Sequence, residues 1–277
     1  MLLAYGLGLP YHRGKWRVVE SVFQRAGLAS HHTGPVEVRR QGVRWQLDPR
    51  SLVQRALYFL GVYEIHETRW LLSQVRPDWT VLDVGANFGY YSLRLSRATG
   101  GQATVHAFEP EAGMFARLSQ HARLNQFDRL HPHRLALSST EGELELVAPS
   151  SGNEGVGHLR TEADAASPHL QRIPALRMDT FVRQQGLTRV DLIKIDVEGA
   201  EGLVLQGAGE TLARFRPRLL LEVNPEALRG FGLTAESLLE TVRGHGYDLF
   251  EAGAEGLRPL TTAPVEPGYV NAICLPR

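Results

Sequence analysis

One cysteine, Cys274, occurs in the 277 residues, which excludes an internal disulfide and a multi-cysteine zinc site. Lysine is almost as scarce: Lys15 and Lys194 are the only two, and arginine carries the rest of the positive charge. Genome composition accounts for the arginine usage, but it makes a lysine at a buried position less casual. Net charge is missing too. Lysine plus arginine number 30 and aspartate plus glutamate 30, so charge lends no support to a nucleic-acid partner. No apolar run approaches the roughly 20 residues of a membrane helix, so no transmembrane segment is expected. Residues 1–10 lack the basic start and apolar core of a signal peptide. The 11 histidines are scattered, with no His-x-x-x-His pair on an expected helix to ligate a metal. What remains is an ordinary composition, 43% apolar and 22% charged, and a soluble cytoplasmic protein is the default expectation, with homo-oligomerisation left open.

The length fits one α/β domain with a small accessory part. Residues 1–78 read as a cover of helices and a hairpin. Trp16, Val18, Val19, Val22 and Phe23 recur at helical spacing within 14–27, and 36–47 alternates around Gln41-Gly42 as a β-hairpin. Ser51 opens a helix that Gly61 ends, and a helix over 64–75 carries Ile65, Leu72 and Val75 on one side with Trp70 off the stripe. Residues 79–277 read as the main domain. Strands are expected at 80–84, 103–108, 131–137, 191–196, 218–223, 247–251 and 269–275, and helices at 89–98, 111–125, 200–213 and 234–243. The near-continuous apolar runs Leu192–Ile195 and Leu219–Leu221 suit strands buried on both faces of a parallel sheet. The expected fold is α/β: a Rossmann-like, seven-stranded doubly wound sheet with an antiparallel last strand. Residues 138–177 weaken the pattern. Gly142–Val147 reads as a strand there, and 149–168 as a surface loop near the mouth of the site.

Val81-Leu-Asp-Val-Gly85-Ala-Asn-Phe-Gly89-Tyr-Tyr reads as a buried strand, a tight glycine turn and a helix start. Such a turn brings backbone N–H groups to a small charged ligand. A dinucleotide site needs Gly-x-Gly-x-x-Gly, and here Asn87 and Tyr90 stand at the second and third glycine positions. A Walker-type phosphate loop is absent as well, which leaves a nicotinamide-dependent oxidoreductase as a weak rival. Glu109 ends the second strand, where a carboxylate accepts from both ribose hydroxyls. The implied ligand is a nucleoside without pyrophosphate, and S-adenosylmethionine fits.

Asp83-Val-Gly-Ala-Asn-x-Gly89, Phe108-Glu-Pro110 and Lys194-Ile-Asp-Val-Glu-Gly-Ala-Glu201 together resemble the FkbM-type class I S-adenosylmethionine-dependent methyltransferases. The resemblance runs from about Leu47 to Pro276. It implies O-methylation of a hydroxyl on a sugar, glycolipid or secondary metabolite, hence a small-molecule or glycan acceptor. Carried over residue by residue, it implies that Asp83, Gly85, Ala86, Asn87, Gly89 and Tyr90 surround the methionine end. Glu109 then holds the ribose, and Pro110, Ala136 and Leu137 border the adenine.

For the chemistry, Asp196 ends the fourth strand at the ligand-binding edge and is the expected base, with Glu198 beside it as second carboxylate and a contact to the cofactor amine assigned to one of the two. Lys194 shares the strand face of Asp196 and needs a salt bridge to Asp196, Glu222 or Asp83 if buried; support of an alkoxide is its functional reading. Tyr63, Glu64, His158, Glu222 and Asn224 are the expected substrate contacts. Asp196, Glu222 and Asn224 offer oxygens for Mg²⁺, but two carboxylates and an amide are too few to favour a metal. N-methylation of a small amine and a non-catalytic binding module with this fold are the alternatives.

Overall fold

The computed structural model describes residues 2–8, 14–25, 34–148, 157–164 and 169–277. The N-terminal part holds short helices at Leu2–Gly8 and Lys15–Arg25, then a hairpin of β1 (Val36–Arg40) and β2 (Val43–Leu47), then helices at Leu52–Leu60 and Ile65–Gln74. Gln41 and Gly42 at the hairpin tip both have positive φ, as a tight two-residue turn requires. The helix at 15–25 buries Lys15, Val19 and Phe23 and leaves Val18 and Val22 exposed, a narrower stripe than expected; residues 26 and 27 lie outside the described residues. In the helix at 65–74 Thr68 and Leu71 are the fully buried positions, and of the expected stripe Leu72 and Val75 pack half-buried onto the core while Ile65 is half-buried. Trp70 packs onto the same core.

The main sheet starts with β3 (Thr80–Val84), β4 (Thr104–Phe108) and β5 (Leu130–His133). A second sheet is built from β6 (Ala136–Leu137), β7 (Gly142–Val147), β8 (His158–Leu159) and β9 (Leu170–Leu176). The chain then returns to the main sheet with β10 (Leu192–Ile195), β11 (Arg218–Val223), β12 (Tyr247–Gly253), β13 (Gly256–Pro259) and β14 (Val270–Pro276). The eight strands lie in the order β13-β12-β14-β11-β10-β3-β4-β5. All seven expected strands are present, and β13 adds an antiparallel edge strand. The last strand, β14, inserts antiparallel between β11 and β12.

Alternation along the strands sends odd and even positions to opposite faces. Leu82, Val84, Ile193, Ile195, Leu219 and Leu221 pack under the helix at Ala235–Gly244. Val81, Val105, Leu192 and Leu220 meet Trp45, Leu57 and Leu71 of the N-terminal elements. The sheet is therefore covered on both faces, and the N-terminal elements share its core.

Three local departures from expectation have physical causes. The expected strand 131–137 is cut after His133, and Ala136–Leu137 leaves the main sheet to pair with β9. The insert is a four-stranded sheet as far as it is described, because Leu144, Leu146, Ile173 and Ala175 make a small apolar core of their own. Most of the expected loop at 149–168 lies outside the described residues. The expected helix 200–213 breaks at Gly207, where a Cβ would stand 2.1 Å from the Ser138 carbonyl oxygen, and continues as Gly209–Phe215.

His106 on β4 and His133 on β5 stack at 5.3 Å, with Nδ1 of one 3.1 Å from Nε2 of the other, and Phe181 meets both edge-on. Burial first, then neighbouring histidines, lowers His106 to about 3 and His133 to about 4 from 6.5. The unfolded chain thus takes up protons before the folded one, and stability drains as pH falls below about 6.5, by on the order of 1 kcal/mol per pH unit. Urea midpoints at pH 7.5 and 5 should show a smaller acid loss in His106→Phe than in the parent; equal losses would remove this cluster as a cause.

Candidate functional site

The carboxyl ends of β3, β4, β10 and β11 open into a cavity of about 340 Å³, the place where doubly wound sheets bind ligands. After β3 the chain turns through Gly85 (φ +76°) into the helix Tyr90–Ala98. A Cβ on Gly85 would stand 1.7 Å from the Asp196 carbonyl oxygen, so the turn rests on the end of β10 at a distance only glycine permits. Asn87 takes a left-handed conformation (φ 52°), and its Oδ1 accepts from the Phe88 N–H at 2.8 Å. The Asn87 N–H donates to Glu109 Oε2 and the Glu111 N–H to Oε1, both at 2.8 Å. Glu109 is 7% exposed and lines the cavity with its carboxylate fixed. Burial raises it to about 7, against the pull of those two N–H donors. An ionised carboxylate has about four lone-pair sites, so two stay open to a ligand.

The opposite wall is acidic. Lys194 faces Asp83 in cross-strand register, and its Nζ donates to the Gly85 carbonyl at 2.7 Å. The same ammonium lies 3.2 Å from Asp196 Oδ2 and 3.7 Å from Asp83 Oδ1. Burial disfavours its charge, yet Asp196 and Asp83 together hold its pKa above the ordinary lysine value. Asp196 keeps a third of its side chain (33%) accessible. Glu198 sits in a left-handed conformation (φ 56°), which costs a non-glycine residue about 1 kcal/mol and persists where surroundings enforce it. Burial, then Asp196 and Glu201, raises Glu198 to about 7. Glu222 is also pushed up by burial and by Asp196, and its buried Oε2 has no hydrogen-bond partner among the described residues. Glu201 Oε1 accepts from the N–H groups of Val197 and Gly199 at 3.0 and 3.2 Å, which fixes the loop carrying both acids.

The structure brings most of the expected residues to one cavity: Gly85, Ala86, Asn87, Tyr90, Glu109 and Pro110, then Ala136, Leu137, Lys194, Asp196, Glu198 and Glu222, with Tyr63 and His158 at its edge. His158 lies on β8, with Nε2 3.1 Å from Asp164 Oδ2, so the insert supplies part of the rim. Four residues are placed elsewhere. Asp83 is fully buried behind the turn, where its Oδ2 accepts from the Ser92 hydroxyl. Gly89 makes room for Leu93 and Leu118, which a Cβ would meet at 2.5 and 2.7 Å. Glu64 accepts from the Tyr91 hydroxyl and from Asn271 Nδ2, and lines a neighbouring cavity. Asn224 caps the helix Pro225–Arg229. Sequence reasoning missed Glu111, Met114 and Leu135 in the wall. Glu111 was findable as the N-cap of the helix 112–124, whose side chain accepts from the Met114 N–H at 2.7 Å. Among the described residues, no group of three or more histidine, cysteine, aspartate or glutamate side chains is arranged to hold a metal ion. No helix among them is long and apolar enough to cross a membrane.

A doubly wound sheet with a glycine turn after β3 and a cavity-lining acid after β4 is a Rossmann-like architecture. Residues 83–249 match the family described as the methyltransferase FkbM domain, and the chain belongs to that family. It is similar to the AMB antimetabolite synthetase AmbE of Pseudomonas aeruginosa, 30% identical over 236 residues, which covers 71% of this chain and 11% of that protein. It is also similar to the 2-O-methyltransferase NoeI of Sinorhizobium fredii, 28% identical over 154 residues, 51% of this chain and 62% of that protein. The hexuronic acid methyltransferase AglP of Haloferax volcanii is 29% identical over 148 residues, 52% of this chain and 56% of that protein. The chain thus spans less than two thirds of the length of these relatives.

Removing one member of a buried charge cluster leaves the others uncompensated and costs about 3–5 kcal/mol. Lys194→Met should lose stability on that scale in urea denaturation. Parental stability would mean that the cluster is not held by charge.

Proposed function

We propose that this protein is an S-adenosylmethionine-dependent O-methyltransferase acting on a hydroxyl of a sugar or secondary metabolite. The observation that carries the reading is Glu109, a buried carboxylate fixed by the N–H groups of Asn87 and Glu111 at a cavity without pyrophosphate-type glycine spacing. Its two open lone pairs match the two hydroxyls of an unphosphorylated ribose. Met114, Leu135, Ala136 and Leu137 offer an apolar wall for a base. The N–H groups of residues 85–89 are all spent on Phe108, Glu109, Asn87 and Ala86, so the first turn of the helix 90–98 is what remains to meet a carboxylate. These residues fit the cofactor, which when bound supplies an activated methyl group. Membership of the FkbM family supports methyl transfer, the relative named a 2-O-methyltransferase supports an oxygen acceptor, and the one named for a hexuronic acid supports a sugar.

The chain's own work is to aim that hydroxyl and accept its proton. Alignment is the larger effect, worth up to ~7–11 kcal/mol, while a base contributes ~10²–10⁴-fold. Asp196, charge-balanced by Lys194 and open to the cavity, accepts a hydrogen bond from the acceptor hydroxyl and orients it. Glu198, raised to about 7, is matched to take the proton near neutral pH. Fixing the base on a loop pinned by Glu201 keeps it at the mouth during turnover.

S-adenosylhomocysteine should raise the melting temperature, by about 2.7 kcal/mol of stabilisation at a hundredfold excess over Kd, while NAD does not. The reverse ranking would sink the cofactor assignment. With labelled S-adenosylmethionine and a fractionated glycan and metabolite extract, Asp196→Asn should lower the rate of methyl transfer at least ~10²-fold by misplacing the hydroxyl, with cofactor affinity kept. Turnover like the parent's would remove its role. At saturating cofactor, kcat should rise with pH through about 7 as Glu198 loses its proton, and Glu198→Gln should flatten that limb. An unchanged profile in the variant would assign the base elsewhere.

A further inference from the structure

A second cavity, of about 590 Å³, adjoins the first and is lined by the N-terminal elements and the end of the sheet. Leu52 and Tyr63 line both cavities. The two are electrostatically contiguous as well. Burial first raises the phenols of Tyr63 and Tyr269, and both then feel Glu64 from the second cavity together with Asp196 and Glu222 from the first. Tyr269 lines this cavity and keeps 52% of its surface exposed. Glu64, Glu67 and Glu251 supply its carboxylates.

The charge of the walls is informative because the chain is rich in arginine. Of 30 basic residues, two are lysine and 28 arginine, yet among the described residues no arginine lines either cavity. Lys194 is the one lysine, and it is committed to Gly85, Asp83 and Asp196. An anionic ligand entering the second cavity would meet Glu64 and Glu67, with Glu251 paired to Arg258 at 3.0 Å. Its carboxylate would find His66 as the one basic side chain in that wall and no guanidinium fork. A sugar ring without negative charge meets the opposite situation: an amphipathic tyrosine face for its apolar side and carboxylate acceptors for its hydroxyls.

We propose that this second cavity is the acceptor subsite, and that it takes a glycoside carrying no negative charge, its ring against Tyr269 and Tyr63 and its target hydroxyl reaching past Tyr63 toward Asp196. The inference rests on the methyl-transfer reading and narrows it. It separates this chain from the relative named for a hexuronic acid. Charge selection here works by exclusion, since like charges facing each other disfavour the wrong ligand more than any contact favours the right one.

The test uses the full chain loaded with S-adenosylhomocysteine, and two probes, methyl β-glucoside and methyl β-glucuronide, with binding followed by saturation-transfer NMR. The glucoside should bind at least about tenfold more tightly than the glucuronide. Tyr269→Ala should weaken the glucoside about fivefold or more while leaving S-adenosylhomocysteine affinity unchanged. Glu67→Arg should narrow or reverse the preference, because it brings a fork for a carboxylate. Equal or tighter glucuronide binding, no effect of Tyr269→Ala, or binding of neither probe to the loaded protein would each overturn the proposal. Failure of S-adenosylhomocysteine itself to bind would sink the cofactor reading and this inference with it, a result told apart by measuring that affinity first in every variant.

Discussion

A buried ammonium group holds this site together. Lys194 lies on the central strand β10, almost without solvent, and must find charge and acceptors inside the protein or give up its proton. It finds Asp83 across the β3–β10 register, the Gly85 carbonyl at the turn, and Asp196 at the end of its own strand. One side chain thereby ties the glycine turn to the acid at the cavity wall. The register of the two central strands and the relative position of the two halves of the site are therefore one constraint. In a chain with two lysines, this position departs from its general preference for arginine; a compact ammonium suits three converging oxygens in a space too small for a planar fork.

Around that anchor the walls divide the work by chemistry. The Gly85–Gly89 turn, with its N–H groups satisfied internally, lets the backbone close in, Glu109 is a fixed acceptor, and Met114, Leu135 and Leu137 form an apolar strip. Asp196, Glu198 and Glu222 crowd the other wall: burial and the Asp196 charge raise Glu198, and burial with Asp196 and Glu198 raises Glu222. Such crowding of carboxylates opposes folding, and groups perturbed in this way in a cleft are where functional sites cluster. The N-terminal elements do more than cover the sheet. They bury Trp45, Leu57 and Leu71 in its core and carry Tyr63 to the junction of the two cavities.

What could be read in the sequence was local. Buried strands announce themselves as apolar runs, and the β3 turn, Glu109 at the end of β4 and Asp196 at the end of β10 follow from strand ends in a doubly wound sheet. What could not be read depends on partners distant in the chain. Asp83 looks like a ligand residue until strand register puts Lys194 beside it and Ser92 takes its other oxygen. Asn224 looks like a rim group until a proline helix begins after it and uses its side chain as a cap. The insert lacks long apolar runs because its small sheet buries one face over four apolar side chains, Leu146, Ile173, Ala136 and Ala175. The second cavity exists only where the first 70 residues meet β12 and β14, which no local pattern encodes.

The central claim is that Glu109 marks this cavity as a ribose site for S-adenosylmethionine. A double-mutant cycle measured by calorimetry tests it most directly, pairing S-adenosylhomocysteine and its 2′-deoxy analogue with the parent and Glu109→Ala. The account predicts that losing the 2′-hydroxyl weakens binding to the parent by about 1.5–3 kcal/mol, the range for a hydrogen bond to a charged group, and leaves the variant nearly indifferent. Equal losses in both proteins would contradict it.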